Sequence, residues 1–220
     1  MRLVYSPLEG LVVVVPRGFN RGRIPALLER NRRWLEHAAI LIEARRRAFN
    51  LQDVKRPRRL ELQAIGESWE LEYRAAEGER ATVIQQAGRL LVFGPLTNEA
   101  ALRAGILRWL AARARARLTP WLKRLAFEHG FTVAAMAIKA QRTRWASCSS
   151  AKAINLNLKL LFLPPELVQY TLLHELCHTR ELNHSPRFWA FVKRLDLDYL
   201  TKDNQLKDAW RYVPPWLEAK

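Results

Sequence analysis

The sequence predicts an α+β fold, on three observations. A β-type run, Leu11-Val-Val-Val-Val15, lies near the start and is closed by Pro16; residues 60–93 alternate apolar and polar in short pieces; and two later stretches, 97–129 and 164–178, read as helices.

Taken in order, Leu11–Val15 is a strand punctuated by Pro16 and Gly18. From about Ile24 to Phe49, Leu27, Leu28, Trp34, Leu35, Ala38, Ile42 and Ala48 recur at three-to-four spacing with arginines between them, which predicts a helix. Asn50–Arg59 is a basic, proline-containing linker. Leu60, Leu62 and Ala64, then Trp69, Leu71 and Tyr73, then Ala81 and Val83, then Leu90 and Val92 predict three or four short antiparallel strands with Gly66, Gly78 and Gly88 at the turns. Thr97 or Asn98 caps a long helix with Glu99 in its first turn; Pro120 kinks or divides it, and Gly130 stops it. Strands follow over Phe131–Ile138, Arg144–Cys148 and Ala153–Leu158, the last two joined by a turn at Ser149–Lys152. Pro164-Pro165 opens the next helix. A soft boundary falls near residue 95, dividing a lobe over 1–95 from a domain over 96–220; one continuous domain is the alternative.

Composition narrows the class. Two cysteines, Cys148 and Cys177, imply no disulfide framework, and Cys177 reads as a buried free thiol. The longest aliphatic run is far short of the ~20 apolar residues of a membrane span and makes a poor leader core, so the expectation is a cytoplasmic protein with no membrane partner. The net charge of +16 is uneven. Residues 17–59 carry 13 Lys/Arg against 4 Asp/Glu, 101–160 carry 12 against 1, and 61–80 reverse to 2 against 6. Such blocks suit a nucleic acid or other anionic partner, but equally a set of solvated arginine-rich helix faces.

The chemistry concentrates in His174-Glu175-Leu176-Cys177-His178. Helical i, i+4 spacing places the two imidazoles on one face, within reach of a single Zn²⁺ at ~2.0–2.1 Å, and Glu175 beside them can take a proton from zinc-activated water. Leu167, Val168, Leu172 and Leu173 surround these polar residues with apolar ones, and a metal accounts for burying them. His184 is the best third ligand. Ser185 and Pro186 look like the cap and first residue of another helix, so His184 sits on a turn that can swing back to the metal. Glu181 shares the helix face but lies roughly 10 Å beyond His174 along the axis at 1.5 Å per residue. Asp196 and Asp198 are more distant options. His37 and His129 read as surface residues.

Four ordered stretches carry a resemblance: Arg144-Trp-Ala-Ser-Cys-Ser149, Ile154-Asn-Leu-Asn157, His174-Glu-Leu-Cys-His178 and Asn183-His-Ser-Pro-Arg-Phe-Trp189. Together they resemble the YgjP-like metallohydrolases, bacterial zincin-type proteins related to the SprT-like and WLM metallopeptidases, over about residues 10–215. Ala146 departs from the family's usual glycine. The resemblance implies a zincin-like catalytic domain with an HExxH helix and a small antiparallel sheet, preceded by a β-rich lobe. It implies zinc on His174, His178 and His184, with Glu175 as general base.

The expected function is therefore a zinc-dependent hydrolase, a metallopeptidase acting on peptide or protein. The Arg144–Asn157 hairpin either offers an edge to an extended substrate or is a packed hairpin with Trp145 in the core. Tyr170, Arg142 and Arg144 are candidate oxyanion donors. Two rival readings are a metal-dependent phosphoanhydride (nucleotide) hydrolase and a basic nucleic-acid-associated protein with a structural zinc, against which an intact Glu175 argues.

Overall fold

The computed structural model describes residues 2–6, 10–16, 18–36, 39–40 and 56–217. Their contacts form two units, Met1–Pro57 with Pro214–Lys220, and Arg58–Val213. In the first, β1 (Arg2–Ser6) and β2 (Gly10–Val14) make an antiparallel ladder. The expected strand at Leu11 is β2; β1 had no aliphatic run to announce it. A 3-10 turn over Arg21–Arg23 leads into α1 (Ile24–Arg30), and Asn31 interrupts the helix by turning its amide back onto the Leu27 carbonyl at 2.8 Å. Helical backbone resumes over 32–36 and 39–40. The rest of the helix expected to Phe49, His37 and most of the linker lie outside the described residues.

The second unit carries β3 (Arg59–Leu62), β4 (Glu67–Ala75), β5 (Thr82–Gln86) and β6 (Arg89–Gly94) in one sheet of order β3-β4-β6-β5. Alternation sends Leu60, Leu62, Trp69, Leu71, Leu90 and Val92 inward. The sheet is not wholly antiparallel. β5 and β6 form a hairpin over Ala87-Gly88, both at positive φ, and the chain between β4 and β5 carries that hairpin across so that β6 lies parallel to β4.

Asn98 caps α2 (Glu99–Glu128) by accepting from the Ala101 N–H at 3.0 Å. Leu102, Ile106, Leu110, Ala114, Leu118 and Leu122 recur every fourth residue and are all 0–1% exposed. Gly105 meets the sheet connection so closely that a Cβ there would sit 3.0 Å from both the Cβ and the carbonyl oxygen of Ala81. Pro120 does not divide the helix. It sits on the exposed side, where water can satisfy the carbonyl its missing N–H leaves free. At the end, Gly130 N–H bonds the Phe127 carbonyl and Phe131 N–H bonds the Ala126 carbonyl, a Schellman closure with Gly130 at φ +65°.

That closure uses Phe131, so the next strand starts later than its apolar residues suggest. β7 (Ala135–Lys139), β8 (Ala146–Cys148) and β9 (Ala153–Asn157) form a sheet of order β7-β9-β8. β8 and β9 pair antiparallel, while β7 joins β9 parallel, so the expected small sheet is mixed with β8 at its edge. α3 (Pro165–His178) follows, then α4 (Pro186–Leu195) and α5 (Tyr199–Asp208), which runs into a 3-10 turn over Ala209–Tyr212. Both α2 and β8 pack on α3, and Arg180 just past it donates to the Gly130 carbonyl at 2.6 Å. The architecture is α+β and zincin-like, with His174 and His178 on α3. No helix among the described residues is long and apolar enough to cross a membrane.

Candidate metal centre

α3 is buried along most of its length, with Leu167, Val168, Leu172, Leu173 and Leu176 at 0–2% exposure. That burial fixes the direction in which His174 and His178, one turn apart, point. Ser185 then caps α4, accepting from the Phe188 N–H at 3.3 Å, and Pro186 sets its first turn. The turn between the helices brings His184 back over α3.

The three Nε2 atoms converge. His174 to His184 is 3.0 Å, and His178 lies 3.2 Å from each of them. Nitrogens held ~2.0–2.1 Å from a tetrahedral ion stand roughly 3.3–3.4 Å apart, so the observed spacing is slightly tighter than a single bound ion would set and is of the right size for one. The other ring nitrogens support the same use. His178 Nδ1 is 2.9 Å from the Glu181 carbonyl, which can only accept, so we assign the proton to Nδ1 and a lone pair to Nε2. Tyr170 donates its hydroxyl to Asp203 Oδ1 at 3.0 Å, which leaves its oxygen to accept from His174 Nδ1 at 3.5 Å. Burial and the neighbouring imidazoles press the His174 pKa down to about 3, and burial also lowers that of His178. Neutral imidazoles with aligned lone pairs are what a cation needs. Phe188, fully buried, lies within 4.4–4.9 Å of all three rings and forms their floor.

Glu175 is 7% exposed, and its Oε2 is buried with no hydrogen-bond partner among the described residues. Burial pushes its carboxyl up to about 7, with Arg144 opposing. Glu175 and His174 line a cavity of about 340 Å³ with Thr143 and Trp145 of the loop before β8, residues of α5 and Trp210 just after it. The thiols are not candidates for nucleophile or ligand. Burial, with Glu175 adding to it, raises Cys148 to about 11, and burial raises Cys177 to about 12.

The model of the YgjP-like metallopeptidase-domain family matches residues 1–209. The chain belongs to that family. No curated protein matches it significantly. For a YgjP-like domain the donor set fits a metal well: three imidazoles converge while other carboxylates nearby are engaged elsewhere. The Glu181 carboxylate pairs with Arg187 at 2.9 Å, and only its carbonyl serves the site. Asp196 is tied to Lys202 at 2.7 Å and accepts from the Asp198 N–H. Tyr170, fully buried and committed to Asp203 and His174, is not placed to donate to a substrate oxyanion. Sequence reasoning missed Asp203, Phe188 and the Glu181 carbonyl. Only the last had a local signal, since a carbonyl three residues beyond a helical histidine lies within reach of its Nδ1.

Proposed function

We propose that the chain is a zinc-dependent peptidase in which His174, His178 and His184 hold the metal and Glu175 is the general base. The observation that carries this is a buried carboxylate oxygen without a partner among the described residues, on the helix that also presents two of three converging imidazoles. Zinc, when bound, supplies Lewis-acid polarisation of a carbonyl and acidifies water. Glu175 takes the proton. Its burial raises its affinity for that proton toward neutral pH, which suits a group that must accept and then release it. The Glu181 carbonyl and the Asp203–Tyr170 pair hold the imidazoles in the ligating tautomer. A structural zinc site has no use for such a carboxylate.

Peptide is favoured as substrate by the open edge beside α3. Asn157 N–H bonds the Trp145 carbonyl and Ser149 N–H bonds the Ala153 carbonyl, so pairing alternates away from Ala146 and Cys148. Their backbone groups point outward, and no described residue takes them up. An extended chain adds there by main-chain hydrogen bonds. Trp145 is half-buried rather than in the core. Two unpaired cysteines accord with a cytoplasmic setting.

The test offers the zinc-loaded protein an unstructured peptide mixture and, separately, a nucleoside triphosphate. New amino termini without released phosphate are expected. Phosphate release without new amino termini would replace the peptidase by a phosphoanhydride hydrolase.

A further inference from the structure

The cavity beside Glu175 has one wall the proposed chemistry does not use. Trp145, from the loop just before β8, and Trp210, from the turn after α5, stack at 4.1 Å with their planes 21° apart. Both line the cavity, together with Leu206. The wall is rigidly built. Trp145 donates its indole N–H to the Leu206 carbonyl at 3.3 Å, and its own carbonyl accepts from Asn157 N–H at 2.9 Å. Asn157, fully buried, also donates its side-chain amide to the Gln141 and Arg144 carbonyls at 2.8 and 2.7 Å. It therefore pins the loop that carries Thr143 and Trp145. The Lys159 ammonium lies over the Trp210 ring at 5.0 Å.

Apart from His174 and Glu175, the charged groups in the lining are already occupied. Asp203 accepts from Tyr170, and Lys207 donates to Asn204 at 2.7 Å. Thr171, buried behind the wall, bonds its hydroxyl to the Leu167 carbonyl. What the cavity offers a ligand is two indoles and a leucine, at a volume near the small end of the roughly 300–1,000 Å³ typical of binding pockets. Aromatic rings are matched by offset or edge contacts with such a surface, and a preformed wall costs little ordering when it binds.

The geometry points to a specificity subsite: the Trp145–Trp210–Leu206 wall receives an aromatic side chain of the peptide substrate, at a residue next to the bond that is cut. This deepens the peptidase reading and rests on it for the word substrate, while the pocket itself is testable alone. The first arm is calorimetric titration of the zinc-loaded wild type with N-acetylphenylalaninamide and N-acetylalaninamide. The phenylalanine compound binds at least ~10-fold more tightly, the ratio an apolar pocket yields between unlike side chains. Equal binding of the two overturns the subsite whatever the enzyme cleaves.

The second arm compares kcat/KM for matched peptides with Phe or Ala at the variable position, in wild type, Trp210→Ala and Leu206→Trp. The Phe-to-Ala ratio falls ~10-fold in each variant, one by removing the wall and the other by filling the space. Thermal melts of both variants identify a misfolded one, and either folded variant suffices. Cleavage with a flat preference, or a preference unchanged in a folded variant, overturns the subsite. If neither peptide is cut, the peptidase reading falls, and the titration alone decides whether the cavity binds aromatic groups.

Discussion

Two withdrawn glutamates in the same unit live under opposite conditions. Glu67 opens β4 and receives five hydrogen bonds: two from Arg113, two from Arg117 and one from the Trp69 indole. Burial alone would raise its pKa, but the arginine and indole bonds outweigh it and the carboxyl lies below the usual range. Glu175 on α3 has a buried oxygen with no hydrogen-bond partner among the described residues, and its carboxyl rises to about 7. The first arrangement fastens a strand to a helix. The second leaves a carboxylate oxygen unpaired beside three imidazoles that face a common point. Such an unsatisfied buried group calls for a role, and the catalytic one proposed above supplies it.

That contrast can be broken at its chemical end first. Glu175→Gln should lower hydrolysis by about 10²–10⁴-fold, the usual span for a lost general base, while leaving thermal stability equal or higher. A large loss of stability would mean that Glu175 is a structural residue like Glu67. Next, Tyr170→Phe removes the hydroxyl between Asp203 and His174. Metal affinity, read by chelator competition, should fall about 10–100-fold with the metal-free melting temperature little changed. Unchanged affinity would remove Tyr170 from the site's support.

At the structural end, Glu67→Gln should cost about 1–3 kcal/mol by denaturant unfolding, reduced from a fully buried pair because Arg117 is half exposed, and leave hydrolysis intact. The sign of its pH dependence follows from the lowered folded pKa. The stability from Glu67 is present above the unfolded carboxylate value and is lost as pH falls through the folded one. Wild type should therefore lose its advantage over Glu67→Gln on acidification. A constant difference down to the folded value would deny the ion cluster its role. The smallest effect is at Gly105. Alanine gains about 1 kcal/mol of helix propensity but presses its Cβ on Ala81, so Gly105→Ala should destabilise by about 1 kcal/mol net. A stabilised variant would show that the Ala81 segment yields.

The parts legible in the sequence were those with local causes. Asn98 and Gly130 bound α2, Ser185 and Pro186 start α4, and the His174–His178 spacing on α3 needed only helical geometry to read. His184 was reachable because its turn lies between two recognisable helix ends. Less visible were features set by distant pairing. Nothing near β4 says that β6 will lie beside it in parallel, and Arg113 and Arg117 reach Glu67 across 46 and 50 positions. Asp203 sits on α5 among ordinary surface residues, and only the packing of α5 on α3 reveals its bond to Tyr170. Whether Pro120 divides its helix was open for a related reason. Its cost depends on whether water reaches the freed carbonyl, which sequence alone does not state.

The central claim is that His174, His178 and His184 together hold one zinc ion. Elemental analysis of the purified wild type and of His184→Ala tests it most directly. The account predicts one zinc per wild-type chain and a marked loss in His184→Ala. Wild-type protein that takes up no zinc, or a variant that holds it as firmly as wild type, would contradict it.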